Sequence, residues 1–189
     1  MWRVLFCPLV HIILKRKEVF VIKRILALLL CIIICVLPLP SCTAKEPVSC
    51  RAVLGAMVDK EIGLPAGQIY DLSAPLGNDE YLDERVISAL FGEGSTPPMR
   101  AGWLDLALFL PSSSHPCEFA VFLCDSADTA TDTARLLCRR LDVVKSTKKN
   151  DANALMLSSA AITIMGNYVL FIISSDTDGA LKTATGILK

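Results

Sequence analysis

Thirteen consecutive apolar residues, Ile25 to Leu37 (ILALLLCIIICVL), constrain everything that follows them in the chain. A helix needs about 20 apolar residues to cross a hydrocarbon core roughly 30 Å thick, so this run is short for a permanent span. Extending it backward would draw Lys23 and Arg24 into hydrocarbon. Residues 15–24, KRKEVFVIKR, carry five basic residues against one Glu, and Pro38-Leu39-Pro40-Ser41-Cys42 follows the run. A basic stub, a short apolar core and a small residue before the cut are the parts of a secretory signal peptide. Positive charge on the near side holds that end in the cytoplasm and sends the rest across. We therefore expect residues 1–41 to be a signal peptide and the chain beyond them to fold outside the cytoplasm. The signal is complete without residues 1–14, MWRVLFCPLVHIIL. The expectation is that the natural start lies near Val21, with residues 1–20 ahead of it.

Leu39-Pro40-Ser41-Cys42 resembles a bacterial lipobox, with Leu three before and a small residue one before the Cys. Pro40 departs from the usual small residue at the middle position. The resemblance implies cleavage between Ser41 and Cys42 and a diacylglyceryl group on the Cys42 sulfur. Two or three acyl chains on one residue suffice for stable membrane attachment. The alternatives are a plain signal peptide with a chance Cys, or an uncleaved anchor. Residues 42–47 would be the attachment point and a short tether, with one domain from 48 to 189. Of 19 basic and 19 acidic residues, six and one precede Cys42, which leaves 13 against 18, a net charge of −5. An acidic domain lacks the basic footprint that nucleic acid requires, and it adds no attraction to anionic lipid. The lipid itself would hold it to the membrane.

Periodicity and punctuation divide the remainder. Ser49 precedes an amphipathic stretch, Cys50-Val53-Leu54-Met57-Val58-Ile62, ended by Gly63 and Pro65, which predicts a helix. Residues 66–78 read as a loop. Asn78 or Asp79 opens a second predicted helix, acidic in its first turn, with Leu82, Val86, Leu90 and Phe91 inward and Gly92 closing it. A linker, GEGSTPPMRAG, occupies 92–102. WLDLALFL (103–110) and FAVFLC (119–124) predict two strands. A long helix follows from Asp125-Ser126, with Ala127, Ala130, Ala134, Leu137, Cys138, Leu141 and Val144 inward. Residues 146–151 read as a solvated loop. Strands at 160–165 and 168–174 flank Gly166-Asn167, where Gly first suits a type II′ turn. A helix at about 177–188 closes the chain. The expected fold is α+β: two layers, a four-stranded mainly antiparallel sheet from two strand-strand-helix units, covered by helices and preceded by two helices.

The lipobox-like end, His115-Pro116-Cys117-Glu118-Phe119-Ala120-Val121-Phe122, the helix ending Cys138-Arg139-Arg140-Leu141, and Gly166-Asn167-Tyr168-Val169-Leu170-Phe171 are together similar to a family of small lipoproteins of low-GC Gram-positive bacteria. The C-terminal domain of that family has no assigned function. The resemblance covers roughly residues 48–189 and implies neither activity nor cofactor.

Chemistry-bearing residues are few. Beyond Cys42 the thiols are Cys50, Cys117, Cys124 and Cys138, with no C-x-x-C pair and no zinc spacing, so neither metal nor cofactor is expected. An oxidising compartment permits a disulfide. Cys117 and Cys124 end one strand, roughly 23 Å apart, and cannot bond. The helix that follows climbs back over the strand at about 1.5 Å per residue and returns Cys138 toward Cys117. Cys117–Cys138 is the expected pair, and two buried thiols are the other reading. His115 is the single histidine after Cys42, beside three serines and Cys117 in a connection broken by Pro116. It reads as a loop residue, with catalytic use remote. Asp79, Glu80, Asp83 and Glu84 read as dipole compensation at a helix start. The sequence thus predicts a lipid-anchored extracytoplasmic module that binds an envelope protein or small ligand without catalysis. The alternatives are a thiol redox protein using Cys117 and Cys138, or a structural envelope component.

Overall fold

FAVFLC is apolar at every position, the pattern of a strand covered on both sides. In the computed structural model, which describes residues 46–92, 101–148, 150 and 152–189, this segment is the centre of the sheet. The export segment, the lipidation motif Leu39-Ser41-Cys42 and residues 93–100 of the linker lie outside the described residues. Residues Pro47–Lys189 form one compact unit.

The elements in chain order are α1 (Cys50–Val58), β1 (Gly67–Asp71), α2 (Glu84–Phe91), β2 (Trp103–Pro111), β3 (Glu118–Cys124), α3 (Ala127–Lys148), α4 (Ala154–Ser158), β4 (Ala161–Met165), β5 (Tyr168–Ile173) and α5 (Thr177–Leu188). The sheet has five strands in the order β1-β2-β3-β5-β4. Every neighbouring pair is antiparallel, and all seven residues of β3 are buried.

Alternate β3 side chains feed two separate cores. Ala120, Phe122 and Cys124 join Leu106 and Leu108 of β2 and Val169, Phe171 and Ile173 of β5, beneath Ile87 and Phe91 of α2 and Leu136, Leu137 and Val144 of α3. Phe119, Val121 and Leu123 join Ala107, Phe109, Leu170 and Ile172, beneath Val53, Leu54 and Met57 of α1 and Ala180 and Ala184 of α5. The domain is α+β as expected, but it has helices on both faces of the sheet, making three layers rather than two. The two strand-strand-helix units send their helices to opposite faces, α3 to one and α5 to the other. Continuous apolar strands were the signal for this, because a strand with one wet face alternates.

The fifth strand is the second correction. Gly67–Asp71, read as loop, is an edge strand in register with β2 from Gly67↔Pro111 to Asp71↔Ala107. Gly67 is required there because a Cβ would overlap the Phe109 ring and the Leu110 carbonyl. The second helix starts later than expected. Asp83, not Asn78 or Asp79, is its N-cap, and its side chain accepts the Val86 N–H at 2.8 Å. Asn78 instead accepts from the Glu80 N–H in a turn, and Tyr81 bridges to Asp71. The first helix stops at Val58, which leaves Ile62 91% exposed rather than inward. A short helix, α4, stands where no element was expected.

The β4–β5 hairpin agrees with its expected turn. Met165 pairs with Tyr168 across two residues, and Gly166 takes φ 61°. At the other end, β2 carries a bulge between Trp103 and Asp105. The bulge lets Trp103 pack with Phe91 and Phe122 in one core while Asp105 faces the other helical layer.

Candidate functional site

Three polar clusters stand out among the described residues. The first lies where the β2–β3 connection enters β3. Glu118 is 1% exposed on the central strand. It faces α3, where Arg140 Nε and Nη2 donate to its two carboxylate oxygens at 3.0 and 2.8 Å. The Arg140 side chain is 13% exposed. Lys148, in the last turn of α3, donates from Nζ to the His115 carbonyl at 3.0 Å. Burial holds the Lys148 ammonium below its usual range, against the pull of Glu118. His115 Nδ1 accepts the Cys117 N–H at 3.1 Å, which closes the turn that carries Pro116. The Cys117 thiol is pushed up to about 12 by burial, with Glu61 and Glu118 adding to it. A thiol in that state is a poor nucleophile.

The expected Cys117–Cys138 pair is not made. Cys117 is buried in the core under α1 and α5, while Cys138 is exposed on α3, the helix that covers the opposite face. The helix α3 lies on the side of the sheet that Glu118 faces, not on the side of Cys117. The helix also turns Thr133, Leu136 and Leu137 inward instead of Cys138. All four described thiols are free.

The second cluster docks the start of the domain onto the sheet. Ser49 caps α1, accepting the Ala52 N–H at 3.2 Å. Asp105, set by the β2 bulge, accepts the Cys50 N–H at 2.7 Å and the Leu106 N–H at 2.8 Å. A carboxylate at a helix N-terminus is favoured by the exposed N–H groups and the dipole. Burial, then the Asp105 charge, pushes the Cys50 thiol far up. Tyr168 donates its hydroxyl to the Val48 carbonyl at 2.7 Å. Nearby in sequence to the end of α1, Glu61 accepts from Ser174 Oγ at 2.6 Å and from the Ser175 N–H and hydroxyl at 3.1 and 2.8 Å.

The third cluster is an open groove of about 570 Å³ beside β1, lined by Tyr70, Leu76, Asp79, Tyr81, Asp83 and Arg85, among others. The acidic residues expected to serve one helix start are dispersed here. Asp79 contributes its carbonyl to the Gln68 side chain, Glu80 pairs with Arg51 at 3.0 Å, and Asp83 caps α2. Only Asp83 and Glu84 sit at the helix start. The Val86 N–H holds the Asp83 carboxyl below the usual carboxylate range.

Sequence reasoning passed over Glu118, Arg140 and Asp105 as a structural set. A Glu opening an otherwise apolar strand was the available signal, since a buried carboxylate demands a buried cation. Among the described residues, no group of three His, Cys, Asp or Glu is placed to hold a metal ion, and no helix is long and apolar enough to cross a membrane. No protein-family model, curated protein or solved structure matches the chain.

Proposed function

We propose that this chain is an exported lipoprotein, cut ahead of Cys42, held to the outer face of the membrane by lipid on that residue, and acting as a binding module rather than a catalyst. The observation that carries the reading is the order of residues 15–42: a basic stub, thirteen apolar residues, then Leu39-Pro40-Ser41-Cys42. The likeness to small lipoproteins of low-GC Gram-positive bacteria points the same way. Support for binding over catalysis comes from how the polar groups are used. Glu118 and Arg140 tie a strand to a helix, Asp105 holds a helix start, and His115 Nδ1 closes a turn. Cys50 and Cys117, which could have served as nucleophiles, are pushed toward the protonated thiol. The partner in this reading is an envelope protein or a small ligand.

The test is fractionation of cells making the full chain or Cys42→Ser. The full chain should sediment with membranes and be cut by protease added to intact spheroplasts. Cys42→Ser should lose the lipid and either accumulate as a precursor or enter the medium. A full chain that is soluble and protease-protected would end the reading.

A further inference from the structure

The two edges of the sheet are treated differently. At β1 the outer side is covered: Asp71 donates its N–H to the Glu80 carbonyl at 2.8 Å, and Leu82 donates to the Asp71 carbonyl at 3.2 Å. The Gln68 amide also reaches across to the Asp79 carbonyl. At the opposite edge, β4 reads Ala161-Ile162-Thr163-Ile164-Met165, with no charge, no Pro, no Gly and no bulge. Charge, Pro and a bulge are devices by which exposed edges are blunted, and β4 has none of these three.

The direction of the free groups follows from the ladder. Asn167 accepts the Cys124 N–H at 2.9 Å, so its carbonyl points toward β3. Groups alternate along a strand, so Tyr168, Leu170 and Ile172 point toward β4. Their partners Met165, Thr163 and Ala161 spend their backbone groups on β5. Ile162 and Ile164 therefore direct N–H and C=O away from the sheet. Among the described residues, no other backbone or side chain bonds to them. Ile164 is 45% exposed, and Val143 of α3 and Leu155 of α4, the helices just before β4, are also exposed.

We propose that this edge is a self-association surface, on which a second copy adds its own β4 antiparallel about Thr163 and extends the five-stranded sheet across a two-fold axis. The strand is its own complement in that register. Ile162 of one copy and Ile164 of the other exchange hydrogen bonds, and their side chains stack on the face that α3 covers. Thr163 meets Thr163, a favourable cross-strand pair. Small Ala161 meets large Met165 on the other face. An isologous contact of this kind closes on itself, leaving the covered β1 edges at the two ends. The inference does not rest on the export reading.

The test uses the full chain in mild detergent on a Cys138→Ser background, which removes the exposed thiol among the described residues. Thr163 pairs with itself at a non-hydrogen-bonded position, where Cα atoms lie about 4.5 Å apart, within the disulfide range. Thr163→Cys should give an oxidised dimer band at least tenfold stronger than Ala161→Cys, whose self-distance would be roughly 13 Å over four residues. Ile164→Pro removes an outward N–H without touching the β5 ladder, and should shift the elution of the chain from dimer to monomer with its circular dichroism unchanged. If that variant misfolds, the two cysteine variants still decide. Equal cross-linking of Thr163→Cys and Ala161→Cys overturns the proposal. So does a monomeric full chain at tens of micromolar, including one whose edge is filled by a different protein.

Discussion

Replacing Arg140 with Leu leaves the Glu118 carboxylate, 1% exposed, on the central strand with its cation removed. Both carboxylate oxygens lose a charged donor at 2.8–3.0 Å. Breaking one partner of a buried pair costs about 3–5 kcal/mol, against a whole-domain stability of about 5–15 kcal/mol. With a urea slope of about 1.5–2 kcal/mol per molar for a unit of this size, the unfolding midpoint should fall by about 1.5–3.3 M. Trp103 reports the transition, because its ring centroid lies 4.9 Å from that of Phe122 in the core that α3 covers. The double variant Glu118→Leu, Arg140→Leu removes both charges together, and should recover to within about 1 kcal/mol of the parent. A loss below about 1 kcal/mol for Arg140→Leu would refute the claim that this pair is buried and necessary. A double variant as unstable as the single would refute its cause.

Asp105→Ala should free the start of α1, costing about 1.5–3 kcal/mol for a charged hydrogen bond, and hydrogen exchange at the Cys50 amide should speed up while the β3 amides stay protected. Gly102 sits at φ 94°, where an added Cβ would crowd Thr129 Oγ1 and Asp125 Oδ1 at 2.7 and 2.8 Å, so Gly102→Ala should lower stability by at least the roughly 1–2 kcal/mol of a left-handed residue. The Asp125 carboxyl is held below 3.8 chiefly by the Thr129 hydroxyl and then by Ser126. Its stabilising contribution is present above pH 3.8 and is lost as pH falls through the lower folded value. In Thr129→Val its titration, followed by carboxyl NMR shifts, should move upward toward 3.8. A thiol reagent at pH 8 should label Cys138 quickly in the native protein and Cys50 and Cys117 only on unfolding, because two are buried with raised pKa and one is exposed.

Much of the architecture was written in local patterns. The Ser49 cap, the two hairpin strands around Gly166-Asn167, and Asp128 in the first turn of α3 all depend on neighbours in sequence. What escaped depends on distant partners. Gly67–Asp71 has only Ile69 and Tyr70 as apolar residues, and it is a strand because β2 pairs with it. The side of the sheet chosen by α3 decides whether Cys117 or Glu118 meets that helix, and a chain that places helices on both faces leaves this open to spacing arguments. The Asp105 bulge shifts the alternation of β2 by one residue, so Trp103 and Asp105 face different layers although both are odd-numbered. Buried Glu118 and half-buried Asp105 were legible only as a demand for partners, while those partners, Arg140 and the α1 N-terminus, are products of packing.

The central claim concerns residue 42, and the intact mass of the native protein tests it most directly. Protein extracted from membranes should begin at Cys42, lack residues 1–41, and carry the added mass of a diacylglyceryl group with or without a further acyl chain. A native chain that retains residues 25–41 with an unmodified Cys42 would contradict the account.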